Sequence, residues 1–249
     1  MRRESTTQPG SSSLSQPGYW WHRARADLLH VVFGSFVGTP RRTLDVGSAD
    51  APSVGWIRRG HPHVTLDLFP EGLVPGEGVC GSAMALPFAD EAFDVVSAFD
   101  VVEHCEDDAV ALSELTRVLA PGGRMLLSVP AYQWAWSDHD VQAGHHRRYT
   151  KARLDRVVQD AGLSVARSTY AFGAVFPLFV AERARRRLRG AAAHSGSRLP
   201  AVSPRAERIL MGLAGLDERL LRRTNLPFGS SVFLAAVKPG SPQSASPSP

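Results

Sequence analysis

Cysteine is scarce. The 249 residues contain two, Cys80 and Cys105, without paired spacing, which excludes a disulfide framework and points to a reducing compartment. No apolar stretch follows Met1-Arg2-Arg3, so no secretory leader is expected. The longest apolar run, residues 170–181, has 12 residues and contains Gly173 and Pro177. As a helix it would reach about 18 Å, short of a hydrocarbon core of about 30 Å, so no membrane span is expected. Carboxylates are sparse in one segment. Residues 182–223 hold eleven arginines against four acids, +7 within a chain of net charge +4, so the remainder is about −3. The basic character belongs to that segment alone, and nucleic acid is not the expected partner.

What is present is a globular composition, 43% hydrophobic and 21% charged, of a size for one domain with tails. Residues 1–18 and 240–249, rich in Ser, Pro, Gly and Gln, read as disordered tails. Residues 19–239 read as the domain, with a helical insertion at about 171–228. A first helix is predicted over 19–33, with Trp20, Ala24, Leu28 and Val31 or Val32 on one face. Strands are predicted at 43–45, 64–67, 79–81, 93–99, 124–129, 163–170 and 231–237. Helices are predicted at 52–59, 107–119, after Thr150, at 178–188 and around 209–221. Strands alternating with helices imply a parallel sheet with helices on both faces.

The organising stretch is Thr43-Leu44-Asp45-Val46-Gly47-Ser48-Ala49-Asp50. An apolar run ends in a carboxylate and turns at a glycine, as where a nucleotide-binding sheet meets its ligand loop. The competing reading is an ordinary strand and turn. Asp67 follows Gly47 by about twenty residues at the end of a second strand, the offset of an acid that accepts both hydroxyls of a ribose.

Five segments in register carry a resemblance: Leu44-Asp45-Val46-Gly47; Asp67; residues 86–96, Leu-Pro-Phe-Ala-Asp-Glu-Ala-Phe-Asp-Val-Val; Asp100-Val101-Val102-Glu103-His104; and Leu119-Ala120-Pro121-Gly122-Gly123-Arg124. Over about residues 40–170 the chain resembles class I S-adenosylmethionine-dependent methyltransferases, the small-molecule type related to quinone biosynthesis. The resemblance implies a Rossmann-like α/β fold with a seven-stranded sheet, and S-adenosylmethionine as cofactor. It places Asp45, Gly47 and Ser48 around the donor's methionine part. It makes Asp67 the ribose acid, lays the adenine on Ser82, Ala83 and Met84, and sets Phe99 and Asp100 beside the reacting methyl. The family's loop is richer in glycine, and here Ala49 and Ala51 stand at two glycine positions. The methyl donor has no pyrophosphate to cradle, so that loss bears harder on a nicotinamide dehydrogenase reading.

The densest polar cluster is Trp136-Ser137-Asp138-His139-Asp140 followed by Gly144-His145-His146-Arg147-Arg148-Tyr149. His139 or His145 is the expected general base, with Asp140 orienting it. Arg147, Arg148 and Tyr149 are the expected acceptor-binding group. The competing reading is that these side chains only lock a loop. The histidines and Asp140 show no recognised metal spacing, so no metal is expected. The basic segment has four readings: an interfacial membrane helix at 175–189, an acceptor lid, an RNA-binding face, or a solvated helix face. The combined expectation is a cytoplasmic methyltransferase, peripheral to the membrane if the first of these holds, with a small-molecule acceptor that is lipid-linked or anionic. The rivals are a non-catalytic binder that kept the fold and an RNA methyltransferase.

Overall fold

The computed structural model describes residues 18–47, 55–57, 62–70, 73, 78–188 and 202–240. Seven strands form one sheet in the order β3-β2-β1-β4-β5-β7-β6. They are β1 Thr43–Val46, β2 His63–Asp67, β3 Gly78–Cys80, β4 Phe93–Phe99, β5 Leu119–Pro130, β6 Ser164–Ala171 and β7 Ser231–Val237. The helices are α1 Trp20–Val37, α2 Asp108–Val118, α3 Asp138–Ala143, α4 Lys151–Asp160, α5 Phe176–Leu188 and α6 Pro204–Leu221. Every residue of β1 is buried, as is nearly all of β4 and β7, which is why β4 and β7 read as nearly continuous apolar runs rather than alternating ones.

The first five strands pair in parallel, and β7 runs antiparallel to both β5 and β6. This corrects the all-parallel expectation. The two helices between β6 and β7 return the chain so that the last strand enters from the opposite end and closes the β5–β6 gap. Residues 121–123 also differ from expectation. The helix has ended at Val118, and Pro121-Gly122-Gly123 lie inside β5, where a register shift between Phe93 and Val95 accommodates them.

Helix ends follow local chemistry. The Asp107 carboxylate accepts the Ala109 and Val110 amides at the start of α2. The Thr150 hydroxyl accepts the Arg153 amide at the start of α4, and Ser203 does the same for Ala206 with Pro204 next to it. Helix α1 buries Leu28, Leu29, Val32 and Phe33. Phe33 lies against Phe99 of β4 and Phe233 of β7, so α1 covers that face of the sheet. The insertion helix α6 packs on α1, and Arg23 ion-pairs with Glu207 across them. Helices α2 and α4 pack together as a second pair, with α2 against β5 and α4 against β6 and β7. Most of the predicted helix at 52–59, the link between α5 and α6, and both tails at 1–17 and 241–249 lie outside the described residues.

Candidate active site

The carboxyl ends of β2, β1 and β4 stand side by side. Thr65 pairs with Asp45, and Asp45 pairs with Ser97. Asp45 is therefore the penultimate residue of the middle strand of three, and Asp67 ends its neighbour two residues beyond the Asp45 register. Both carboxylates are buried, at 3% and 8% exposure. The Ser97 hydroxyl donates to Asp45 Oδ1 at 2.6 Å, and Asp67 Oδ1 accepts the Phe69 amide at 2.9 Å. Gly47 turns the chain with φ +76°, its amide bonded to the Leu66 carbonyl at 2.7 Å. A Cβ there would stand 2.3 Å from Val101 Cγ2, so glycine is required twice over, by backbone and by space. Ser48 lies outside the described residues.

On the far side of Asp67, β3 ends at Cys80, and the Gly81 amide bonds back to the Asp67 carbonyl. Ser82, Ala83 and Met84 form a tight turn in which the Ser82 hydroxyl accepts the Met84 amide. Leu68, Phe69 and Met84 are large apolar residues left exposed here. They suit the two faces of an adenine, and the Asp67 carboxylate beside them suits a ribose. The residues present therefore fit an adenosyl group.

At the end of β4, Phe99 is buried and Asp100 adopts φ +55°. Its amide bonds to Ser128 O at 2.8 Å, Ser128 Oγ donates to Asp100 Oδ1 at 3.0 Å, and Arg25 Nη2 pairs with Oδ2 at 2.8 Å. These bonds hold an uncommon conformation for a residue with a side chain. Arg25, from α1, is 2% exposed and its guanidinium lies over the rings of Trp21 and Phe99. Sequence reasoning missed Arg25. The available signal was a charge one position after Ala24 and three before Leu28, on the buried stripe of an amphipathic helix.

The polar loop after β5 packs against the turn after β4. Asp140 is fully buried in the first turn of α3. It receives His145 Nδ1 at 2.8 Å, Arg148 Nε at 2.7 Å and Nη2 at 3.1 Å, and the Ser137 amide at 2.8 Å. Burial pushes its carboxyl up, but the hydrogen bonds from His145 and Arg148 prevail and hold it well below the usual carboxylate range. His139 has its pKa lowered by the surrounding protein and by His145. Its ring lies 6.3 Å from that of His145, at 85°. His145 is thus the histidine that Asp140 orients, while His139 stands beside it.

Arg148 and Tyr149 are placed differently from the acceptor-binding expectation. Arg148 is 6% exposed and spends its donors on Asp140 and the Ala131 carbonyl. Tyr149 is fully buried and donates to Asp108 Oδ2 at 2.8 Å. Both lock the loop. Arg147 also pairs with Asp108, at 3.2 Å, and reaches the Glu106 carbonyl. Glu103, which the sequence offered only as part of the Asp100–His104 segment and without a role, is fully buried between these elements. His104 closes the short turn after β4, its ring 4.6 Å from that of His145.

Comparison with known proteins agrees with this geometry. Residues 44–127 match a family model described as a methyltransferase domain. A probable S-adenosylmethionine-dependent methyltransferase of Mycolicibacterium smegmatis is 28% identical over 179 residues, covering 64% of this chain and 63% of that protein. A demethylmenaquinone methyltransferase of Mycolicibacterium paratuberculosis is 26% identical over 153 residues, covering 59% and 62%. The chain thus spans less than two thirds of the length of either relative. Among solved structures, a chain of the complex between the Haloferax volcanii Trm112 methyltransferase activator and a putative methyltransferase superposes with TM-score 0.58 at 19% identity, covering 94% and 95%. Haemonchus contortus phosphoethanolamine N-methyltransferase 2, in complex with S-adenosylmethionine, gives 0.56 at 19%, covering 94% and 58%. Residues 44–127 thus carry a methyltransferase domain, and the fold around them is the Rossmann-like one of S-adenosylmethionine-dependent methyltransferases.

Proposed function

We propose that this chain transfers a methyl group from S-adenosylmethionine to a small-molecule acceptor at the carboxyl ends of β1, β2 and β4. The observation that carries the proposal is the placement of Asp45 and Asp67 near the carboxyl ends of adjacent strands around the Gly47 turn. When bound, the donor supplies an electrophilic methyl on a sulfonium. The chain's own residues then have three tasks. Asp67 accepts the ribose hydroxyls, with Leu68, Phe69 and Met84 flanking the base. Phe99 and the Asp100 turn, fixed by Arg25 and Ser128, define the wall where the methyl is presented. His145, aimed by Asp140, receives the acceptor's proton through its second nitrogen as the new bond to carbon forms. Orientation is the larger part of the work, because the donor is already activated.

The acceptor side has an aromatic wall. Tyr132 stacks on Tyr170 at 5.2 Å and on Trp134 at 5.7 Å, and Phe176 of α5 packs on both Tyr132 and Trp134. This supports an apolar or ring-bearing acceptor with α5 as its lid. Leu178 and Leu188 of α5 are exposed, which favours α5 as a peripheral contact with a membrane that holds a lipid-linked acceptor. No described helix is long and apolar enough to cross a membrane.

The test is incubation of the full chain with methyl-labelled donor and a fractionated small-molecule extract of cells that make the protein. Label is expected in an organic-soluble product, with less formed by His145→Gln. Label that never leaves the donor, or that moves into RNA, would overturn the proposal.

A further inference from the structure

Glu103 carries a carboxylate that folding ought not to bury. It is 0% exposed, and neither oxygen accepts a hydrogen bond from another residue. An uncompensated buried charge costs several kcal/mol, so such groups are normally paired or bound to metal. The residues around Glu103 are metal-ligand types. His104 is next in the chain, and His145 faces it from the loop after α3. One ligand atom from each of Glu103, His104 and His145 lies within 4.8 Å of the others. An ion held at about 2.1 Å by each would draw them to about 3.4 Å apart, a change within reach of side-chain rotation.

We propose that Glu103, His104 and His145 form a binding site for one first-row divalent metal ion. The surroundings support this. His145 Nδ1 is hydrogen-bonded to Asp140 Oδ1 at 2.8 Å, and the Ala143 backbone hydrogen-bonds the His104 ring. Each imidazole is thus oriented through one nitrogen and has the other for an ion, the arrangement usual for metal-bound histidine. The two segments are pinned together by the His146 amide, which donates to the Glu103 carbonyl at 2.7 Å. Glu103 is buried, His145 is intermediate and His104 is exposed, which gives an ion a way in. Two imidazoles and one carboxylate suit zinc, cobalt, iron or manganese better than calcium. Three protein ligands leave a position open, and an acceptor oxygen bound there would lose its proton more easily. That last use rests on the proposed methyl transfer; ion binding does not. With the ion present, the second nitrogen of His145 is a ligand and not a base.

The experiment strips the full chain with a chelator and titrates it with Co²⁺, reading ligand-field absorption and metal content. One ion per chain is expected, bound about 100-fold or more weakly by Glu103→Gln and His145→Asn. His146→Asn, outside the three, should bind as the unaltered chain does. Donor calorimetry and circular dichroism on the same samples report folding. No uptake by the unaltered chain, undiminished uptake by both variants, or equal loss in His146→Asn would overturn the site. Donor binding without ion uptake would remove this inference alone. Ion uptake without donor binding would support it and remove the methyl-transfer proposal.

Discussion

At residue scale, Gly47 and Asp140 bear the most. Gly47 combines positive φ with a Cβ position 2.3 Å from Val101. Gly47→Ala is expected to cost about 1–3 kcal/mol of stability from backbone strain alone and to lose donor binding, checked by urea denaturation and calorimetry. Among the described residues, Asp140 is the acid that ion-pairs with the buried Arg148 guanidinium. Asp140→Asn leaves that charge uncompensated, with an expected loss of about 3–5 kcal/mol. The sign of its pH dependence follows from its lowered pKa. The unfolded chain takes up the proton first, so the carboxylate's contribution is complete above about pH 4 and fades as pH falls through the lower native value. Thermal melts across that window should show a shallower acid dependence in Asp140→Asn. The two strand-end carboxylates were legible because spacing from a glycine turn is a one-dimensional signal. Arg25 and Glu103 were not, because what they touch comes from elements distant in the chain, α1 against β4 and residues 103–104 against 145–148.

At the scale of elements, periodicity and capping were enough for β4, β7 and α4, whose apolar positions and Thr150 cap fall where the sequence sets them. Strand direction was less legible, since the same buried apolar run serves a parallel or an antiparallel strand; only the returning insertion reverses β7. That insertion is anchored by Asp217 of α6, 1% exposed, whose Oδ1 accepts the Ala174 amide at 3.0 Å. Arg167 of β6 adds bonds to the Val32 carbonyl of α1 and to Asn225 after α6. Asp217→Ala leaves buried amides without an acceptor and should cost about 1–3 kcal/mol. Faster hydrogen exchange in α5 and α6, with β4 and β5 unchanged, is the expected pattern. Uniform acceleration across the sheet would show that the insertion is not a separable element.

For the whole molecule, charge is unevenly placed. The acids proposed to hold the donor lie on β1 and β2, and the basic excess lies in the insertion before β7. A donor that binds only the folded chain must raise its melting temperature by mass action. At about 100 times the dissociation constant the gain is about 2.7 kcal/mol, or roughly 5–11 °C for a domain of this size. The most direct measurement is calorimetric titration of the full chain with S-adenosylmethionine beside Asp67→Asn, which keeps the Phe69 contact but loses the charge. One donor per chain is expected, with binding weakened about tenfold or more in the variant. A folded chain that gives no binding heat at millimolar donor, or a variant that binds equally well, would contradict an adenosyl pocket at the Asp45–Asp67 edge.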